Sequence, residues 1–363
     1  MTSLIQADES EPVVTDDFPY RLIRAGVVMR PDPADPHEAE GVLNPAAAWS
    51  PDGRLVLFPR IVARGNHSRI GVADVVIEHG VPTGVRRRGI ALAPDRSWEH
   101  GSDHGGVEDA RVTWVPALGC YLMAYVAYGP LGPRAGLATS ADLASWTRLG
   151  PVQFAYEDPL DIDLNLFPNK DLAFFPEPIQ GPDGSPCLGF LHRPMWEIPG
   201  QQVAPPAGIT DDRAAIWLSY VRLADARADP SALLRPFGHR ELARSEQDWE
   251  ELKIGGGPPP VRVPEGWLLL YHGVSGSISP NPFEPQKNVF YAAGGLLLDA
   301  DDPSRVLART AAPLLSPETD EERVGIVGNV VFPTAVAEID GTLFTFYGMA
   351  DEAIGVARIE RVT

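Results

Sequence analysis

The chain is poor in cysteine and in basic residues, and it contains no long apolar run. Cys120 and Cys187 are its only two cysteines, in unrelated contexts and without zinc-ligand spacing. They read as small buried strand residues, which suits a reducing compartment and leaves no disulfide or zinc framework. Lys and Arg number 30 against 49 Asp and Glu, a formal net charge of −19. That balance makes nucleic acid and anionic membranes poor partners, and an anionic ligand would need a local basic pocket. No apolar stretch approaches membrane-spanning length, and the N-terminal "MTSLIQADESEPVVTDD" is acidic, with no apolar leader segment. The expectation is a soluble, cytoplasmic protein; a homo-oligomer is left open. A glycine-rich phosphate loop, a zinc motif and a nucleophile elbow are all missing. The acid spacing alone would allow a calcium loop, but the ordered glycine and closing Glu of an EF-hand are absent. No metal and no cofactor are therefore expected.

Helix signal is scarce as well. The best candidates are short, such as "DPSALLRPF", which a proline interrupts. What is present is turn punctuation: 35 glycines and 37 prolines, scattered rather than clustered. With 44% apolar residues the chain can bury a sizeable core. All-β barrels and propellers run to this length as one domain, so a single domain over 1–363 is expected, with residues 1–20 a flexible or peripheral segment.

Five segments share a plan: "LNPAAAWSPDGRLVLFPRIV" from Leu43, "VEDARVTWVPALGCYLMAYVAY" from Val107 and "NKDLAFFPEPIQGPDGSPCLGFLHRP" from Asn169, then "GGGPPPVRVPEGWLLLYHGV" from Gly255 and "VGNVVFPTAVAEIDGTLFTFYGMAD" from Val327. Each has a polar or glycine-rich opening, an apolar strand, a turn with Gly or Pro, and a second apolar strand. The spacing suits four-stranded blades, and the five-fold echo selects an all-β, five-bladed propeller. A second echo, "ATSADLASWTRLG" with "ARSEQDWEELKIG", makes Trp146 and Trp249 equivalent blade-closing residues. The long third interval holds an insertion, 195–215, of the kind that forms binding loops.

In a propeller the innermost strands start near one mouth of the channel. The polar starts Asn44, Glu108 with Asp109, Asn169 with Lys170 and Asp171, and Asn329 should then converge there. Charge at a strand start is costly to bury unless paired, and it makes sense as the lining of a polar pocket.

From about residue 40 to 360 the sequence resembles glycoside hydrolase family 130, the β-mannoside phosphorylases and mannosidases. The resemblance rests on "GVEDARVTW", "NKDLAFFPEPI", "LHRP", "KIGGGPPP", "GWLLLYHGV" and "VVFPTAVAEIDGTLFTFYGMAD", matching together in order. The family fold is a five-bladed propeller and its enzymes invert the anomeric carbon. Its Glu-Asp-Pro-Arg motif supplies the acid, so the resemblance makes Asp109 the proton donor, acting through a sugar hydroxyl; Ala110 stands where the family has Pro. The acid must hold a proton near neutrality, and Glu108 and Arg111 beside it act in opposite directions on that. Asn44 and Asp351 match positions that hold the mannose ring. Arg60, Glu108, Arg111, Tyr128 and Asp171 complete the expected substrate set: groups that read hydroxyls, with one ring for stacking.

A phosphorylase needs cations to hold phosphate rather than a second carboxylate to activate water. Lys170, His192, Arg193 and His272 stand in family-matching places, and Arg148 falls where the phosphorylases carry an arginine. Against this, Ala292 replaces an arginine that often follows the "HGV" strand, and Glu157, Asp158, Asp161 and Asp163 could supply a base for water. The leading expectation is an inverting phosphorylase, with glycosyltransferase-type chemistry, that converts a β-mannoside and inorganic phosphate into α-mannose 1-phosphate. The alternatives are an inverting β-mannosidase and a non-catalytic glycan-binding propeller, the latter disfavoured because a lectin needs no acid beside Arg111.

Overall fold

The computed structural model describes residues 13–15, 17–101, 104–158, 161–196, 208–277, 286 and 288–362. The expected strands form: runs such as "YLMAYVAY" alternate across the pleat, and glycines with positive φ, Gly119 at 65° and Gly132 at 77°, make the turns that flank it. The described chain is all-β apart from short helical turns, and it contains no helix long and apolar enough to cross a membrane.

The strands form four hydrogen-bonded sheets. Gly41–Trp49, Leu55–Ala63, His67–Glu78 and Val81–Leu92 run antiparallel in chain order. Gly105–Val115, Cys120–Gly129, Gly132–Ser140 and Thr147–Pro151 do the same. A two-residue parallel pairing, His67 and Ser68 with Gly105 and Gly106, joins these sets into one eight-stranded sheet. The second sheet orders Asn169–Phe174, Pro186–Pro194, Ile216–Arg222 and Phe237–Ala243. The third orders Lys253–Gly256, Gly266–Ser277, Asn288–Leu298 and Val306–Thr310, with Val13–Thr15 added in parallel at its outer edge. The fourth joins the two ends of the chain: Tyr20–Met29 pairs with Ala353–Arg361, beside Thr342–Met349 and Val331–Ile339.

Between these strand sets lie apolar clusters. Leu122 and Leu137 pack with Leu172 and Phe190; Phe175 and Leu191 pack with Trp267 and Leu269. Leu268 and Leu270 meet Val331 and Tyr347, and Phe344 and Phe346 meet Val42 and Leu57, so the last set packs against the first. Each fully buried side chain of this size contributes roughly 1.5–3 kcal/mol.

Three innermost strands bulge at a polar residue with positive φ: Asn44 (43°), Asp109 (46°) and Asp171 (55°). Asn and Asp tolerate this conformation, and a bulge re-aims the side chain. On the neighbouring strands Arg60, Arg193 and His272 face the same space, each following a residue turned the other way.

Trp249 stacks beside Tyr271 at 5.6 Å, but its counterpart is Trp98, beside Tyr125 at 6.2 Å, each followed by a buried Glu. Trp146 instead meets Phe58 edge-on at 5.5 Å. The echo pairing Trp146 with Trp249 therefore aligned unlike positions, because it followed the turn residues rather than the Trp-Glu pair.

Candidate active site

A cavity of about 190 Å³ lies where the bulged strands converge. Asn44, Arg60, Asp109, Lys170, Asp171, Arg193, His272 and Asp351 all line it, as the sequence led us to expect. Glu108 and Arg111 stand directly behind. A larger groove, about 550 Å³, lies between Ala117 and Leu233, and its charged residues, Asp142 and Arg227, are exposed.

One corner is built around Asp109. Asn44 Nδ2 donates to Asp109 Oδ1 at 3.1 Å. Arg60 spans the two neighbouring acids, 3.0 Å from Glu108 and 3.5 Å from Asp109. Lys170 Nζ lies 3.4 Å from the other Glu108 oxygen. Arg111 fastens the bulge from behind: Nε donates to the Gly257 carbonyl at 2.7 Å and Nη1 to the Asp109 carbonyl at 2.9 Å. Its guanidinium sits 5.5 Å from the Phe332 ring, and burial pushes its pKa down. Asp351 follows Ala350, both with positive φ. Burial raises the Asp351 carboxyl to about 6; Arg60 opposes this and Asp109 adds to it.

The other corner is built around Asp171. Its carboxylate accepts a hydrogen bond from Arg193 Nε and lies 3.8 Å from His272 Nε2. Burial works against its charge, but the Arg193 cation holds it down at about 2. His272 stacks on Tyr291 at 5.7 Å and meets Phe332 edge-on at 4.3 Å. Burial drives its pKa down to about 3 in spite of Asp171. His272 is thus a neutral hydrogen-bonding group, not the cation the sequence suggested. Gly255 completes this corner: a Cβ there would overlap Asp171, His272 and Arg193.

Arg193 Nη1, His272 Nδ1 and Asn44 Oδ1 are buried with no hydrogen-bond partner among the described residues. Buried polar groups are normally satisfied, and all three belong to residues lining one cavity.

Several expected residues stand elsewhere. Arg148 pairs with the fully buried Glu99 at 2.6 Å and does not line the cavity. His192 is buried between Asn169 (3.0 Å) and Ser219 (2.8 Å), and burial keeps it neutral. Tyr128 is half-buried beside the cavity, its ring 5.4 Å from Lys170 Nζ. The Asn329 carbonyl accepts from Tyr291 N at 2.9 Å, but the residue does not line the cavity, nor does Asn169. Ala292 is buried away from it too. Among the four acids of the 157–163 stretch, Glu157 accepts from Gly238 N, Asp161 from the Tyr156 hydroxyl (2.8 Å) and Asp163 from Asn165 N (3.0 Å); none of the four lines the cavity. Of the 195–215 insertion, Met195 lines the cavity, and 197–207 lie outside the described residues.

Sequence reasoning missed Lys253, Tyr291 and Phe332, which also line the cavity. Lys253 Nζ lies 5.7 Å from the Tyr291 ring centre. Lys253 stood in view, two residues before Gly255 in "KIGGG"; Tyr291 and Phe332 carried no such signal and are brought in only by strand register.

Comparison with known proteins places the chain in one group. A family model described as beta-1,4-mannooligosaccharide phosphorylase, of glycoside hydrolase family 130, matches residues 232–362. A 1,2-beta-oligomannan phosphorylase of Thermoanaerobacter sp. (strain X514) is 30% identical over 340 residues, 92% of this chain and 94% of the relative. A beta-1,2-mannobiose phosphorylase of the same organism is 32% identical over 74% of this chain and 69% of its own. Among solved structures, the beta-1,2-mannobiose phosphorylase of Listeria innocua, in complex with beta-1,2-mannobiose, superposes with a TM-score of 0.67. That match has 22% identity and covers 94% of this chain and 96% of that one.

Proposed function

The chain belongs to glycoside hydrolase family 130, and from that membership we propose that it is an inverting β-mannoside phosphorylase, taking inorganic phosphate as co-substrate. The relatives that match most of its length are named as phosphorylases of β-1,2-linked mannosides, so β-1,2-mannobiose and short β-1,2-oligomannosides are the substrates we assign. The observation that carries the reading is the division of one cavity into an acid corner, around Asp109, and a cationic corner, around Arg193.

A phosphate oxygen attacks the anomeric carbon on the face opposite the leaving group. The new C–O bond forms as the glycosidic C–O bond breaks, and the product is α-mannose 1-phosphate. The departing oxygen takes a proton from Asp109, relayed through a sugar hydroxyl. Such a proton transfer contributes on the order of 10²–10⁴ in rate. Asn44 and Arg60 hold the Asp109 carboxylate in place, and with Asp351 they contact the mannose hydroxyls. Phosphate arrives already anionic and needs no general base. Arg193, Lys170 and Lys253 supply the positive charge for it, and His272 and Tyr291 supply hydrogen bonds. Asp171 orients Arg193 and tempers the local charge.

The hydrolase alternative needs a carboxylate to activate water. The acids of the 157–163 stretch, the first candidates for that task, lie away from the cavity, which favours the phosphorylase. We further propose that the fold is a single five-bladed propeller, the eight-stranded sheet counting as two blades joined at the short parallel pairing. The cyclic succession of apolar clusters, last set against first, supports that count.

The test is product analysis by NMR after incubation with β-1,2-mannobiose and phosphate. The phosphorylase reading expects free mannose and the α anomer of mannose 1-phosphate in equal amounts. A β-configured product, or no phosphorylated sugar, would contradict it.

A further inference from the structure

Three of the strand sets carry the same trio, a buried tyrosine and glutamate with an arginine that is buried in one set and partly buried in the other two. Tyr125 donates its hydroxyl to Glu99 (2.8 Å), which also pairs with Arg148. Tyr271 donates to Glu250, which pairs with Arg309. Tyr347 donates to Glu322 (3.0 Å), which pairs with Arg24 at 2.9 Å. In each trio the tyrosine lies on the second strand of its set and the arginine on the fourth; the glutamate precedes the innermost strand and is 0% exposed. Each tyrosine ring occupies a notch left by a glycine on the third strand: Gly136, Gly294 and Gly355 could not carry a Cβ without striking it. The second glutamate oxygen caps its own loop, on Arg96 N, on Glu246 N and Gln247 N, and on Glu318 N and Thr319 N. Nothing in the proposed chemistry uses these nine residues.

Their positions in the chain give them a task. Tyr271 immediately precedes His272, and Glu250 lies three residues before Lys253 and five before Gly255. That clamp therefore holds two segments that enter the cationic corner. Tyr347 immediately precedes Gly348, whose missing side chain leaves room for the Asn44 amide. The Glu322 carbonyl accepts from Val330 N at 2.9 Å, and Val330 in turn accepts from Ala350 N at 3.1 Å, beside Asp351. That clamp therefore holds the segments that enter the sugar-binding side.

We propose that two of these clamps are positioning devices that divide the cavity between them, the Glu250 clamp setting the phosphate corner and the Glu322 clamp the mannose side. The inference rests on the phosphorylase reading for its choice of ligands. A hydroxyl–carboxylate–guanidinium chain centred on a buried carboxylate suits this use, because its geometry is fixed once every member is satisfied. Removing one donor frees the carboxylate to shift, and the attached strand shifts with it.

The test compares Tyr271→Phe with Tyr347→Phe. Both keep the ring that fills the glycine notch, so both should fold even where Glu250→Ala does not. The KM for phosphate, the KM for β-1,2-mannobiose and kcat are measured well below each variant's Tm. Tyr271→Phe should raise the phosphate KM about fivefold to tenfold, the order of one hydrogen bond's net worth, and leave the mannobiose KM within about twofold. Tyr347→Phe should do the reverse. Parallel changes in both KM values, or lowered Tm with neither KM changed, would make the clamps merely structural and overturn the proposal. Phosphate-independent turnover by the unaltered protein would overturn the phosphorylase reading instead. The clamps would then be judged on the mannobiose KM alone, where Tyr347→Phe must exceed Tyr271→Phe.

Discussion

Asn44 donates its side-chain amide to Asp109 at 3.1 Å, and both residues sit at strand bulges with positive φ, 43° and 46°. Two innermost strands from neighbouring sets are thus bent toward each other at these polar residues. The acid is held by this contact and by Arg60, so its replacement should affect chemistry more than folding. Asp109→Asn should lower kcat by about 10²–10⁴ with Tm little changed. Retention of more than about a tenth of the activity would rule out Asp109 as the acid.

Arg193 and Arg148 make opposite forecasts although each is paired to a buried acid, Asp171 and Glu99. Arg193→Ala removes a cation from the cavity and should weaken apparent phosphate affinity by about tenfold to a hundredfold. Lys253→Ala should act in the same direction. Arg148→Ala strands Glu99 in the interior, where breaking a buried pair costs about 3–5 kcal/mol; its Tm should fall while the phosphate KM of the folded fraction stays put. Thermal melts beside phosphate titrations separate the two outcomes.

Gly255 offers a steric test. A single methyl there overlaps the Asp171 carboxylate, the His272 ring and Arg193 Nε. Gly255→Ala should raise the phosphate KM at least tenfold, since these groups must move apart. An unchanged phosphate KM would show that the corner does not hold phosphate.

Much of this was legible in the chain. The alternation of apolar residues and the repeated turns gave the all-β class, and the polar strand starts Asn44, Asp109, Lys170 and Asp171 do meet at one cavity. The failures have physical causes. Arg148 follows a turn that repeats elsewhere, yet its partner Glu99 lies far back in sequence, so its burial was invisible. His192 sits one residue before a cavity-lining arginine, and the period of a strand turns it to the other face. Tyr291 and Phe332 arrive through register between distant strands, which no local pattern encodes.

Asp351 should leave a mark on stability. Its carboxyl titrates at about 6 in the folded chain against 3.8 when free. Between those values the folded state holds a proton that the unfolded state has released. This group's contribution to stability therefore falls as pH rises through that window, and it is lowest above about pH 6. At ~1.4 kcal/mol per unit the whole shift amounts to ~3 kcal/mol, an upper bound because Asp351 keeps some exposure to the cavity. Asp351→Asn cannot ionise, so relative to the unaltered protein it should gain stability between pH 4 and pH 7.5. Urea midpoints at the two pH values measure this; an equal difference at both would refute the assignment.

The proposed nucleophile is phosphate, not water. The direct measurement is the rate of β-1,2-mannobiose consumption as phosphate is raised from zero. Turnover should be negligible without phosphate and should rise saturably with it, tracking formation of α-mannose 1-phosphate. Release of free mannose at an undiminished rate in the absence of phosphate would contradict it.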